Sequence, residues 1–436
     1  MKITIVGTGY QGLVVGTCLA DNGHQVICVD RDAARIEGLA KGLMPIHEPG
    51  LEELVARNLE EERLSFTTDL GEAVSDCLAV FLCVGTPLRA DGSADISDVL
   101  DATRQLATRM NGYRILINKS TCPPGTADEM ERILRENSTQ AFDIVVNPDF
   151  LKEGNAIDDF VRPDRVVVGC DDVRVREILK ELYSPFLRTG KPFLVMSRRS
   201  AELCKFATNV FLATRISLVN QLADLCEAYD ADISEVREGV AFDERIGMQF
   251  MYPGLGFGGL GLPKDLATTI QLAEAKGIEH DLFSAVAQIN DRCQAQFIQR
   301  ILDYYGEAIA QKKIAVWGAS FKPRTDDLRG AISLRLIDAL RAAGASISVF
   351  DPVAGPKLRE HYGDAVEVAP RYYEAIDGAD GVVIVTEWSE FRRPDYERMG
   401  QLMRERVIFD GRNLYTPAVL REHGFKYFSI GRRPVL

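Results

Sequence analysis

A chain of 436 residues is too long for one hydrophobic core, so two or three domains are expected. A formal net charge of -13 argues against a nucleic-acid or anionic-membrane surface, and no apolar run approaches the roughly 20 residues of a membrane span. The nine cysteines include no CxxC pair, which argues against a metal site and fits reduced, mostly buried thiols of a cytoplasmic protein.

Residues 2–6 (Lys-Ile-Thr-Ile-Val) read as a buried strand, not a charged leader, so no secretory signal is expected. A glycine loop follows, then an apolar helix over about 13–22, then a strand over 25–29 ending in Asp30. Further strand-like runs at 79–84, 114–118 and 144–146 end in the turns Gly85-Thr86-Pro87, Ser120-Thr121 and Asn147-Pro148. Strands alternating with helices predict a parallel sheet covered on both faces, with ligands at the carboxyl ends of its strands. Between about Ser200 and Tyr229, the residues Leu203, Phe206, Phe211, Leu212, Leu218, Leu222 and Leu225 recur near every 3.6 positions. They predict one long helix, a candidate spine and dimer surface. Beyond Lys312 a second unit loosely echoes the first: a strand from Lys313, a helix over about 332–343, and a strand over 346–350 ending in Asp351. Runs at 378–386 and 407–413 supply two more strands. The expected class is α/β, with two Rossmann-like doubly wound parallel sheets joined by a long central helix.

Gly7-x-Gly9-x-x-Gly12 follows a strand and opens a helix, and an acid closes the next strand. In that context the glycines have separate tasks: the tight turn, close approach to phosphates, and close packing of helix on strand. The helix N-terminus adds free amides and a positive dipole end. Asp30 can accept hydrogen bonds from ribose hydroxyls and would repel a 2′-phosphate, so NAD is expected over NADP. Arg31 and Arg35 nearby weaken that preference slightly.

Several further segments carry a resemblance. They are Val84-Gly-Thr-Pro87, Ser120-Thr-Cys-Pro-Pro-Gly-Thr126, Asn147-Pro-Asp-Phe-Leu-Lys-Glu-Gly154, Pro163-Asp-Arg165 and Ala201-Glu-Leu-Cys-Lys-Phe-Ala-Thr-Asn209. Pro253 to Asp265, Phe321 to Arg329 and Asp410-Gly-Arg-Asn413 complete the set. In order and spacing the chain resembles the UDP-glucose/GDP-mannose dehydrogenase family. The resemblance implies an NAD-binding domain (1–198), a central helical dimerisation domain (199–295) and a nucleotide-sugar-binding domain (296–436). It implies a homodimer through the central helix, and a role for Thr121, Glu153, Lys205, Asn209 and Asp265 in catalysis. NAD contacts carried over are Gly7, Gly9, Tyr10, Gln11, Gly12, Asp30, Arg35, Thr86, Thr121, Glu153, Lys264 and Arg329. Substrate contacts carried over are Asp149, Phe150, Leu151, Lys152, Glu153, Lys205, Asn209, Phe250, Tyr252, Gly254, Gly258, Lys322 and Arg412. Arg245 resembles an arginine that reaches the neighbouring subunit's substrate. Asp149 stands where the family usually has Glu. Asp265 also reads as a helix N-cap after Pro-Lys.

Family members oxidise C6 of a nucleotide sugar twice, and a cysteine tethers the intermediate aldehyde. Here Gly256-Phe-Gly-Gly-Leu-Gly-Leu-Pro-Lys-Asp265 puts Gly261 at that cysteine's position and Leu260 before it. Three outcomes stay open. The enzyme stops at the 6-aldehyde, it oxidises the aldehyde as its hydrate, or the chain binds both ligands without turnover. UDP-glucose is the expected sugar nucleotide. Cys122 and Cys204 read as ordinary buried thiols, not substitute nucleophiles.

Overall fold

The computed structural model describes residues 1–188 and 190–436, which form two compact units, Met1–Thr208 and Asn209–Leu436. In the first unit the strands are β1 (Lys2–Val6), β2 (Gln25–Val29), β3 (Leu64–Thr67), β4 (Ala79–Leu82), β5 (Arg114–Asn118), β6 (Phe142–Val146), β7 (Val166–Gly169) and β8 (Phe193–Met196). They form one sheet in the order β3-β2-β1-β4-β5-β6-β7-β8. Both faces are buried because alternate residues of near-continuous apolar strands feed two cores. Ile3, Ile5, Phe81, Ile115 and Ile117 pack on one face. Val80, Leu82, Leu116, Ile144 and Val146 pack on the other. Strands β1 to β6 pair in parallel. The β7–β8 pair is parallel internally but joins β6 in the antiparallel sense, a reversal the sequence pattern did not announce.

Chain order reverses between β1 and β4, so the crevice at their carboxyl ends lies at the switch point of the sheet. The first helix starts at Tyr10, three residues before the apolar pattern suggests, with Gly9 in extended conformation as its N-cap. The reason is the third glycine. Gly12 lies inside the first turn, where a Cβ would fall 1.8 Å from the Gly7 carbonyl oxygen. Gly7 itself needs its left-handed φ of 96°, and a Cβ there would meet the Cys83 carbonyl.

The second unit holds β9 (Lys313–Trp317), β10 (Ser346–Phe350), β11 (Glu367–Val368), β12 (Gly381–Ile384), β13 (Val407–Asp410) and β14 (Lys426–Phe428). All are parallel, in the order β11-β10-β9-β12-β13-β14. This sheet repeats the first locally. The Gly318 N–H donates to the Phe350 carbonyl as the Gly7 N–H does to that of Val29, both at 2.8 Å. Asp351 holds the Ala319 amide as Asp30 holds that of Thr8, again both at 2.8 Å.

One continuous helix, Arg198–Ala228, answers the predicted spine. Phe206 is buried, but Phe211, Leu218 and Leu225 are about half to two-thirds exposed at seven-residue spacing. No helix among the described residues is long and apolar enough to cross a membrane.

Gly12→Ala is expected to lower the urea midpoint of the first unit by the equivalent of about 1–3 kcal/mol, because its methyl would overlap the Gly7 carbonyl. Gly9→Ala, whose methyl would meet nothing within 4 Å, should leave that midpoint unchanged.

Candidate active site

In the first unit the predicted residues gather at the carboxyl ends of the strands. Asp30 accepts from the Thr8 N–H and hydroxyl, both at 2.8 Å, and from the Asp32 N–H at 3.1 Å. Arg35 leans on it at 3.5 Å, whereas Arg31 is drawn away to Asp98. Burial alone would raise the Asp30 carboxyl. The Thr8 and Asp32 amides, the Thr8 hydroxyl and Arg35 together hold it below its ordinary value of 3.8. The residues fit a dinucleotide. Gly7 and Gly12 are demanded by protein atoms, but nothing lies within 4 Å of where a Gly9 Cβ would sit, so that face of the loop is open to a pyrophosphate.

Several of the carried-over cofactor residues have side chains turned onto the protein. The Gln11 amide donates to the Lys119 carbonyl at 3.0 Å. The Tyr10 hydroxyl donates to Glu48. Thr86 donates to the Thr121 carbonyl at 2.9 Å and so ties together the two turns that end β4 and β5. Glu202 fixes the same Thr121 turn from the central helix, accepting from the Gly125 N–H at 2.6 Å and the Ala127 N–H at 2.8 Å. Burial pushes the Glu202 carboxyl up against the pull of those amides. Cys122 is buried among apolar core residues, as the reading of it as a buried thiol expects, whereas Cys204 is only half-buried.

The 149–154 turn is held from several sides. Lys205, 8% exposed, donates to the Asp149 carbonyl at 2.8 Å and lies 3.6 Å from its carboxylate. Its ammonium also sits 5.6 Å from the Phe150 ring centre, and the Arg165 guanidinium stacks on that ring at 3.5 Å. The Lys152 N–H donates to Asp159 at 2.8 Å. Leu151 and Glu153 are half-buried, and Lys152 is exposed. Beneath the turn lies a buried lysine that sequence reasoning missed. Lys119 donates to the Asn147 side chain at 3.1 Å, and Tyr183 donates to the same oxygen at 2.5 Å. Burial pushes the Lys119 ammonium down, against the opposing pull of Asp149.

In the second unit the predicted substrate residues form a separate cluster. A Cβ on Gly254 would fall 2.8 Å from the Gly411 carbonyl, next to Arg412, and one on Gly258 would fall 2.4 Å from the Gly330 carbonyl. The 253–259 loop therefore lies directly on the Asp410-Gly-Arg-Asn and Phe321–Arg329 turns. Asn220 and Asn290, both missed in the sequence, hold its Gly254 and Phe257 amides at 2.9 and 2.8 Å. Arg412 is pinned by the Val385 carbonyl at 2.6 Å and Glu387 at 3.2 Å. Arg329 forks Asp327 at 2.6–3.0 Å, and Lys322 is half-buried. Phe250 has a left-handed φ of 58°, and Tyr252 lies under the Arg237 guanidinium. Arg245 stays outside this cluster, exposed and forked onto Asp243.

Asn209 donates to Asp265 at 2.5 Å, and the Lys264 ammonium lies 3.2 Å from the other carboxylate oxygen. Asp265 is not a helix N-cap, the alternative its place after Pro-Lys offers. Its helix, Gly261–Glu274, starts four residues earlier, after Leu260, so Asp265 is buried within the helix. The early start follows from Pro263, whose fixed φ suits the first turn. Gly261 is then the first helical residue. Its φ is not left-handed, and a Cβ there would meet nothing within 4 Å.

The sequence matches three domain models of one family: the UDP-glucose/GDP-mannose dehydrogenase NAD binding domain over residues 1–187, the central domain over 199–292, and the UDP binding domain over 315–417. The chain belongs to the UDP-glucose/GDP-mannose dehydrogenase family. It is 43% identical to a UDP-glucose 6-dehydrogenase of Pseudomonas aeruginosa over 442 residues, covering 99% of this chain and 98% of that protein. It is also 43% identical to one of Rhizobium meliloti, covering 99% and 100%. A solved UDP-glucose dehydrogenase from Pyrobaculum islandicum superposes with a TM-score of 0.90 at 35% identity over 99% of this chain and 98% of that one. A UDP-D-ManNAc dehydrogenase from Pyrococcus horikoshii gives 0.86 at 27% identity over 99% of each. The protein is thus an NAD-dependent nucleotide-sugar dehydrogenase of the UDP-glucose 6-dehydrogenase type, with a UDP-binding C-terminal domain.

Asp30→Asn should narrow the preference for NAD over NADP by about tenfold, read as a ratio of dissociation constants. Because the folded-state carboxyl is held below 3.8, its stabilising effect is present above that value and lost as pH falls through the lower one. The difference in thermal midpoint between the native chain and Asp30→Asn should therefore be flat above about pH 5 and shrink towards pH 2.

Proposed function

We propose that this enzyme oxidises C6 of UDP-glucose to the acid in two NAD-dependent steps without a covalent tether. The observation that carries the reading is Gly261: the helix start is open and well formed, but it bears no nucleophile, while the Lys205–Asp149 and Asn209–Asp265 pairs are intact. UDP-glucose follows from what the relatives at 43% identity are called.

NAD, when bound, would supply the hydride acceptor for each oxidation. In the first, the C6 hydroxyl loses its proton, and the Lys205 ammonium stabilises the developing alkoxide. The product is an aldehyde. Water adds to it, with Thr121, Glu153 and Asp265 holding the water and the reacting hydroxyl. The resulting gem-diol again presents a C–H beside an oxygen that can carry negative charge, so a second hydride can leave and yield the carboxylic acid. Each oxidation releases one proton and reduces one NAD. Asp149 and Asn209 keep Lys205 and Asp265 in place. Phe150, Leu151 and Lys152, with the 253–259 loop, Phe250, Tyr252, Lys322 and Arg412, hold the sugar nucleotide. Gly7 to Gly12, Asp30, Arg35, Thr86, Lys264 and Arg329 hold NAD.

Gly261 also favours a second reading, in which the enzyme stops at the aldehyde. A binding protein without turnover is the weaker alternative, since it would have no need of a buried Lys205 and a buried Asp265. The assembly is a homodimer seated on the Phe211, Leu218 and Leu225 stripe, with Arg245 reaching the partner's substrate. Domains at 1–198, 199–295 and 296–436 divide NAD binding, dimerisation and sugar-nucleotide binding. Nine mostly buried cysteines fit a cytoplasmic setting.

The test is the yield of NADH per UDP-glucose consumed, with and without hydroxylamine. Two NADH per uronate are expected, falling towards one when the free aldehyde is trapped. One NADH without any trap would establish the aldehyde as end product, and none would defeat the dehydrogenase reading. Gly261→Cys should fold normally, its side chain entering open space, and should make the second step resistant to hydroxylamine.

A further inference from the structure

Glu48 lies between the first helix and the Glu153 turn, in a segment to which nothing above assigns a role. Its carboxylate is 5% exposed. One oxygen accepts from the Tyr10 hydroxyl and from the Gly154 N–H at 2.6 Å, and the other accepts from the Ala156 N–H at 2.8 Å. The Gly154 N–H also points at the Tyr10 oxygen, at 2.9 Å. Its backbone is anchored too, the Glu48 carbonyl accepting from the Leu51 N–H at 3.1 Å.

The geometry makes a bridge. Tyr10 is the first residue of the helix whose free amides face the pyrophosphate position. Gly154 and Ala156 follow directly on Glu153, at the exit of its turn and the start of the next helix. Loops at strand ends keep their place only if their backbone N–H groups find acceptors. Here one buried carboxylate supplies the acceptor for both amides and binds the dinucleotide helix with its other contact. The phenol of Tyr10 is driven far above its usual pKa by burial and by Glu48, so it stays a donor throughout the working pH range.

We propose that Glu48 is a positioning residue that, through Tyr10, couples occupancy of the dinucleotide loop to the placement of Glu153. A cofactor that fixes the first helical turn fixes Tyr10, and Tyr10 holds Glu48 on the Gly154 and Ala156 amides. Ligand binding would therefore order the water-holding turn at a distance. The catalytic consequence rests on the reading of Glu153 given above; the coupling itself does not.

The experiment is amide hydrogen exchange of the 150–157 segment in the full chain, with and without saturating NAD, in native protein, Glu48→Gln and Tyr10→Phe. In native protein NAD should slow exchange at Gly154 and Ala156. Glu48→Gln, which replaces one acceptor oxygen by a donor, should speed their exchange about tenfold or more and lower kcat about a hundredfold, with a smaller change in the dissociation constant for NAD. Tyr10→Phe keeps the carboxylate and both amides, so it should fold, but it should lose the NAD-dependent slowing. A purely structural role for Glu48 would leave that slowing intact in Tyr10→Phe, and this result would overturn the proposal. If Glu48→Gln does not fold, Tyr10→Phe decides alone. If the exchange pattern is as expected but native protein makes no NADH from UDP-glucose, the coupling stands and the proposed reaction fails.

Discussion

The site depends on buried carboxylates that accept main-chain N–H groups at the carboxyl ends of parallel strands. A parallel sheet satisfies its own ladder but delivers loops whose amides have no partner there, and a buried unpaired amide is costly. In this protein acids fill that need at four of the functional turns, and Asn220 and Asn290 fill it at the 253–259 loop. Asp30 holds Thr8, Glu48 holds Gly154 and Ala156, Glu202 holds Gly125 and Ala127, and Asp410 holds Arg412, Leu414 and Tyr415. In a chain of net charge -13, these acids fix the geometry of the loops.

The two sheets use the same device to different ends. In both, a left-handed glycine after the first strand donates across to the second, and the acid ending the second strand returns to hold the loop. Asp30 keeps an edge towards solvent, next to Arg35. Asp351 is consumed: it accepts from Ala319, Ser320, Val353, Ala354 and the Trp388 indole N–H. The second loop does not turn at once into a helix but runs on through Phe321 to Ala331 before helix Ile332–Ala342. Only the first copy therefore keeps both a free helix start and an acid available to a ribose.

Much of this was legible in the residues. Near-continuous apolar strands, the glycine spacing and the acids at strand ends carried β1, β2, β5, β9 and β10 and the dinucleotide loop, because each is a local signal. Glu48, Lys119 and Glu202 were not legible, since their partners lie up to 108 residues away and a charged residue in a loop or helix reads as solvated. The reversal at β7 was hidden for a similar reason: strand direction is decided by a connection, not by composition. The cap reading of Asp265 fails because Pro263 lies inside the first turn of the helix and does not precede it.

Gly261, with Leu260 before it, separates this chain from the motif. The backbone there is an ordinary helix start with room for a side chain, so the missing thiol removes a nucleophile without disturbing the scaffold. In the proposed route two oxidations proceed with no bond between protein and sugar nucleotide. The direct measurement is the intact mass of the protein, acid-quenched during turnover of UDP-glucose and NAD. That route predicts the unmodified mass while NADH accumulates. A mass increased by the UDP-sugar acyl group, carried on any of the nine cysteines, would contradict it.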